Sequence, residues 1–275
     1  NGNKVKTLLE QPLLEDLPKG FMATQPGMRN INWRSDKPAT IYYVEALDEG
    51  DPEKEVEFRD EVFELTAPFT SEPRSLIKTI NRYAGITWGN EELALVSDRW
   101  WNTRNTKTYI FNPSSDELDA DILYDRNYQD NYNNPGSFLT ARNEFGQNTL
   151  VIDKNSLYLT GPGYSDEGMR PFFRKFNLKT KETEELWRAD GIETLEQIVE
   201  VLDPKQGVLL TRVEASTVFP NYYIRNIKRK IAPQQITFFK NPYESILGVH
   251  KELITYKRDD GVELSGTLYL PADYD

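Results

Sequence analysis

No cysteine occurs among the 275 residues. Disulfides, thiolate nucleophiles and cysteine metal ligands are therefore excluded, while the cytoplasm and an oxidising periplasm both stay compatible. Histidine occurs once, at His250, so a metal site is confined to carboxylate and carbonyl oxygens of the kind that suit Ca²⁺ or Mg²⁺. No apolar run approaches the roughly 18 residues that a membrane-spanning helix needs. The opening Asn1-Gly2-Asn3-Lys4 lacks the apolar stretch of a signal peptide. Positive charge is also short: 33 Lys and Arg face 44 Asp and Glu, a net charge of −11. Nucleic acid is not an expected partner, because it is held by rows of cations set against phosphate. The one basic cluster, Arg225 to Lys230 with Lys228 and Arg229, reads as the solvated face of a strand.

What is present has the texture of short strands divided by turns. Thr40-Ile41-Tyr42-Tyr43-Val44, Leu93-Ala94-Leu95-Val96 and Thr108-Tyr109-Ile110-Phe111 are β-branched, aromatic or aliphatic runs, as buried strands are. Around Phe172, Phe176 and Leu178 apolar residues alternate with Lys175, Asn177 and Lys179, which predicts a half-exposed strand. Asn112-Pro113, Asn134-Pro135-Gly136 and Gly161-Pro162-Gly163 punctuate the segments. Leu195, Ile198, Val199 and Leu202 fit a helical face, yet Asp203-Pro204-Lys205-Gln206-Gly207 leads into Val208-Leu209-Leu210 as a turn would, and strand-turn-strand is the preferred reading. Asn30-Ile31-Asn32-Trp33 is echoed by Gly85-Ile86-Thr87-Trp88, and further units start near Leu150 and near Leu195. Such repeats predict about four propeller blades over residues 1–244, in preference to a β-sandwich. Residues 245–275 differ: Asp260-Gly261 between alternating segments predicts a hairpin, with Val262, Leu264, Leu268 and Leu270 on one face.

Catalytic constellations are hard to assemble. A Ser-His-Asp triad needs a histidine beside its serine, but His250 has no G-x-S-x-G string for company and reads as a surface or linker residue. Asp130-Asn131-Tyr132-Asn133-Asn134-Pro135-Gly136 resembles a calcium loop only superficially, since Tyr132 takes a ligand position and the closing glutamate is missing. Asp48, Asp51, Glu53 and Asp60 would be the place for a glycosidase carboxylate pair, but they read as a solvated acidic loop. The most suggestive group is Trp100-Trp101-Asn102-Thr103-Arg104, where a guanidinium beside two indoles could clamp a substrate carboxylate. The competing account has both tryptophans packed between blades and Arg104 paired with an acid. No catalytic residue, metal ligand or cofactor site is assigned, and Arg104 is the single candidate for substrate binding.

Several strings together carry a resemblance. Gly27-Met28-Arg29-Asn30-Ile31-Asn32-Trp33-Arg34-Ser35-Asp36-Lys37-Pro38-Ala39-Thr40, Trp101-Asn102-Thr103-Arg104, Tyr128-Gln129-Asp130-Asn131-Tyr132-Asn133-Asn134-Pro135-Gly136, Gly161-Pro162-Gly163 with Glu167-Gly168 and Pro171-Phe172, and Tyr256 to Leu264 with Thr267 to Pro271 resemble the glutamyl endopeptidase branch of the prolyl oligopeptidase family of serine peptidases, also labelled dipeptidyl aminopeptidase-like. The resemblance implies an all-β, partial propeller whose terminal hairpin leads toward an α/β-hydrolase domain. It implies a non-catalytic segment that gates and orients peptide substrates, with that domain and the peptides as partners. A preference for glutamate would call for a cationic pocket. An open ring also predicts self-association through exposed blade edges. A stand-alone protein-binding propeller is the alternative.

Overall fold

The computed structural model describes residues 4–274 apart from residues 5, 192, 230 and 273; the readings of Asn1 to Asn3, Lys230 and Asp275 lie outside the described residues. Two compact units result, residues 1–163 with 173–185, and residues 164–172 with 186–275.

The first unit is built by consecutive antiparallel hairpins. Strands β1 (Arg29–Trp33), β2 (Thr40–Ala46), β3 (Asp60–Thr66) and β4 (Arg74–Thr79) form one sheet in chain order. Strands β5 (Arg82–Asn90), β6 (Leu93–Arg99), β7 (Asn105–Phe111) and β8 (Ala120–Asn127) form a second sheet in the same way. Four-stranded meanders repeated along a chain are the blade pattern of a propeller, and the fold is an all-β, partial propeller. The echoed tryptophans fall on equivalent strands, Trp33 on β1 and Trp88 on β5. Their surroundings differ sharply: Trp33 is 57% exposed and Trp88 only 2%.

Stacking supplies the burial that a single meander cannot provide. Val44, Val62, Leu76 and Ile77 of the first sheet close a core with Trp88, Ala94, Val96, Tyr109 and Phe111 of the second. The opposite face of the second sheet, through Leu95 and Ile110, meets Leu150, Leu157, Leu159 and Phe176. That approach is close at Gly89, where an added Cβ would lie 2.8 Å from the Leu93 carbonyl oxygen and 3.1 Å from Ile152 Cδ1. Above Trp88, Arg34 stacks with its Cζ 4.2 Å from the ring centroid. Arg34 also binds Asp36 at 2.7 Å and Glu64 at 2.5 Å, and Glu64 accepts a further pair of bonds from Arg74 at 2.8 and 3.0 Å.

A third sheet takes the order β16–β15–β12–β9, from β9 (Ser137–Phe138), β12 (Ser156–Gly161), β15 (Phe172–Asn177) and β16 (Thr183–Arg188). Its first strand is two residues long, and hairpins β10 (Thr140–Arg142) with β11 (Asn148–Leu150) and β13 (Tyr164–Ser165) with β14 (Gly168–Met169) interrupt its connections. The third unit therefore starts at Ser137, ahead of Leu150. Leu150 is buried and reads as a blade strand, but it belongs to the inserted hairpin.

In the second unit, β17 (Leu195–Asp203), β18 (Val208–Glu214), β19 (Asn221–Asn226) and β20 (Gln234–Gln235) form the fourth sheet. The strand-turn-strand reading of this stretch is the one adopted. Its turn needs glycine at position 207, where φ is +66° and an added Cβ would lie 2.4 Å from Ile227 Cγ1. The basic cluster is not a solvated strand face. Arg225 pairs bidentately with Glu196 at 2.6 and 2.9 Å and lies over Trp187, whereas Lys228 and Arg229 stand in the turn that follows β19. Strands β21 (His250–Lys257) and β22 (Glu263–Leu270) make the hairpin expected at Asp260-Gly261. Every residue of β21 is exposed, and Val262 lies in the turn just ahead of β22.

Candidate functional site: two arginine clusters of the first unit

The acidic segment departs most from expectation. Asp51 and Glu53 do lie in the loop between β2 and β3, with Asp51 Oδ1 accepting the Glu53 amide at 2.9 Å. Asp48 and Asp60 are buried instead, at 1% and 0% exposure. Arg59 Nη1 reaches Asp48 at 2.8 Å, Arg82 Nη1 reaches Asp48 at 2.7 Å and Asp60 at 3.0 Å, and Arg29 donates to Asp60. The Tyr83 amide adds a 2.6 Å bond to Asp60, and the Gly50 amide a 3.0 Å bond to Asp48. Neither carboxylate has the separate, solvated setting of a glycosidase base. Three guanidiniums surround two carboxylates, and Arg29 Nη1 and Arg82 Nη2 stay buried with no bonding partner. Burial accordingly pulls the Arg29 pKa down, against the attraction of Asp60.

The tryptophan-arginine motif occupies the turn from β6 to β7. The Trp100 amide bonds the Asn105 carbonyl at 2.9 Å, which closes the turn. Arg104 adopts a left-handed φ of +56° and folds back: its guanidinium donates to the Trp101 carbonyl and stacks 3.8 Å from the Trp101 ring centroid. Trp101 is 42% exposed and meets Phe21 at 5.0 Å, while Trp100 lies beneath Arg59 at 3.9 Å. Arg104 thus pairs with its own turn and with no described acid.

The Arg104 carbonyl accepts the Tyr128 amide at 2.8 Å and so ties this turn to the end of β8. Beside it opens a cavity of about 370 Å³ walled by β5 to β8 and by Pro135-Gly136-Ser137-Phe138. Arg99, Arg126 and Tyr128 stand on its wall with the hydroxyls of Ser97, Thr106 and Thr108. Arg99 lies 4.4 Å over the Tyr128 ring. Arg126 makes only long bonds to the carbonyls of Asn127 at 3.2 Å and Asp130 at 3.3 Å. The Tyr128 hydroxyl oxygen is buried with no partner, a condition that costs about 1–3 kcal/mol. Burial raises the pKa of Tyr124 on the same wall, which keeps that phenol protonated. No Asp or Glu lines the cavity. Sequence patterning alone does not single out Arg126 and Tyr128, because the cavity wall forms only when β5 to β8 and the Pro135–Phe138 segment come together.

No protein-family model matches the chain. The chain is 37% identical over 292 positions to a probable chloroplastic glutamyl endopeptidase of Oryza sativa subsp. japonica, and 38% identical over 294 positions to one of Arabidopsis thaliana. Both alignments cover all of this chain but only 31% and 30% of the relatives, so it spans about a third of their length. Among solved structures it is similar to oligopeptidase B from Trypanosoma brucei, at 9% identity, 90% of this chain, 39% of that chain and a TM-score of 0.46. It is also similar to the β-propeller domain of the Trilobed protease from Pyrococcus furiosus, at 11% identity, 92% of this chain, 71% of that chain and a TM-score of 0.39.

Proposed function

Since the chain belongs, over a propeller region alone, to the prolyl oligopeptidase family in its glutamyl endopeptidase branch, we propose that it gates and orients peptide substrates for hydrolysis by a C-terminal α/β-hydrolase domain. The observation that carries this reading is the end-to-end likeness to two glutamyl endopeptidases of which the chain spans only about a third. Its action in this proposal is steric: successive blades screen a catalytic face and admit extended peptides. Residues 1–244 are the gating segment and residues 245–275 the connection to the hydrolase domain. Arg104 is the candidate for binding a substrate carboxylate in this proposal, its guanidinium held over Trp101. Self-association in this proposal runs through the exposed strand edges of the outer blades of an open ring.

The test uses peptides that carry a chromogenic group after glutamate, given to a longer protein containing this chain and to the 275-residue chain alone. Hydrolysis by the longer protein, abolished by a serine-directed inhibitor, with none by the chain alone, is the expected result. Turnover by the chain alone, or no turnover by the longer protein, overturns the reading.

A further inference from the structure

The cavity beside the second sheet has an unusual charge balance for this molecule. The chain carries 44 carboxylates against 33 cationic side chains, yet the cavity wall bears Arg99 and Arg126 and no acid. The other described cavities each mix acids and lysines, as with Glu182, Glu184 and Lys175, or Glu263 and Lys257. Most arginines of the first unit, among them Arg29, Arg34, Arg59, Arg74 and Arg82, form ion pairs. Arg99 and Arg126 form none among the described residues. The Tyr128 hydroxyl is buried with nothing to donate to, Tyr128 lines the same cavity as these two cations, and Arg99 lies 4.4 Å over its ring.

We infer that the Arg99–Arg126–Tyr128 cavity binds the carboxylate of a peptide. Guanidinium groups match the two oxygens of a carboxylate, and the phenol supplies a third donor that the chain itself leaves unused. The cavity is sized for one side chain or one chain end, and no Asp or Glu lines it. The nearby Asp130, whose pKa is lowered by hydrogen bonds from Asn133 and, more weakly, by the Arg126 charge, is not among the lining residues. Pro135 and Gly136 line it too, which gives the Tyr128–Gly136 stretch a role that turn formation alone does not use. The identification of the carboxylate's source as a peptide rests on the peptide-gating reading above; the anion preference rests on the cavity alone.

Titration calorimetry on the 275-residue chain tests this with three blocked peptides: one with an internal glutamate and an amidated end, one of glycines with a free C-terminal carboxylate, and an amidated glycine peptide without charge. Saturable, salt-weakened binding of one or both carboxylate peptides, and none of the neutral one, is expected. Which of the two binds names the source as side chain or chain end. Arg126→Gln weakens that binding about tenfold or more, and Tyr128→Phe about three- to tenfold, with no loss of melting temperature in Tyr128→Phe because the hydroxyl has no partner to lose. Equal binding of the neutral peptide, no saturable binding of any, or unchanged affinity in Tyr128→Phe overturns the proposal. Hydrolysis is not read in this experiment, so failure of the gating reading and failure of this one are separate results.

Discussion

At the start of β3, Arg29, Arg59 and Arg82 converge on Asp48 and Asp60, while near the end of β8, Arg99 and Arg126 line a cavity without an acid and form no ion pair among the described residues. The two clusters belong to one unit of the chain and differ in access to water. Arg82 is 5% exposed and both aspartates are nearly inaccessible, so three cations are held there against two anions with little help from water. Arg99 is solvent-exposed and Arg126 half-buried, so solvent screens their charges. Asp130, a carboxylate that feels the Arg126 charge, forms no ion pair with it among the described residues. An arginine held by two aspartates acts as a structural tie and is unavailable to a ligand. One that no carboxylate binds directly can exchange water for an anion.

The contrast can be broken most forcefully at Arg82. Arg82→Ala strands Asp48 and Asp60 against fewer cations, and loss of one partner from a buried ion pair costs about 3–5 kcal/mol. Urea denaturation monitored by tryptophan fluorescence measures it, and a loss below about 1 kcal/mol would show the cluster to be well hydrated.

A pH series sharpens the comparison further. Burial opposes ionisation of Glu64, but hydrogen bonds from Arg34 and Arg74 outweigh it and hold its pKa below the ordinary value of 4.5. Its contribution is therefore whole above that value and is lost as pH falls through the lower folded one. Glu45 lies on β2 and pairs across to Glu61 on β3; burial, then the Glu61 charge, raises its pKa, so it destabilises the fold once pH rises above the ordinary value. Glu64→Gln should flatten the acid limb of a stability-versus-pH curve measured from pH 2 to 7. Glu45→Gln should instead raise stability at neutral pH by about 0.2–1 kcal/mol, as relief of like charges facing each other across a sheet predicts. The smallest effect is expected at the open cluster. Arg99→Gln should change unfolding free energy by no more than about 0.5 kcal/mol in the same urea assay.

Much of the strand pattern was legible because it depends on near neighbours. The β-branched run at Thr40–Val44, the Asp203–Gly207 turn and the Asp260-Gly261 hairpin all follow from local side-chain shape and backbone freedom. The tryptophan echo located the first strands of two sheets. Asp48 and Asp60 were misread as solvated because their partners are distant in sequence: Arg82 lies 34 and 22 residues away, and Arg29 lies 31 from Asp60. Nothing local distinguishes a buried aspartate of this kind from its loop neighbours Asp51 and Glu53. The cavity was hidden for a similar reason, since Arg99, Arg126 and Pro135 come together only when β6, β8 and the following turn are assembled. Arg104 was visible in the sequence because its partner, Trp101, is three residues away.

The reach of Arg82 has a consequence for how the chain opens. It begins the second sheet, yet its guanidinium is bonded to the last turn of β2 and the first residue of β3 in the sheet before it. Neither sheet can fray at that end without uncovering charges that the other holds in place. The two meanders should then behave as one cooperative unit in native-state hydrogen exchange, their slowest amides sharing a single opening free energy. A protease that waits for the 48–60 loop to open would cut at the rate of that joint event, so a change at Arg82 should be felt as fast cleavage some twenty to thirty residues away along the chain.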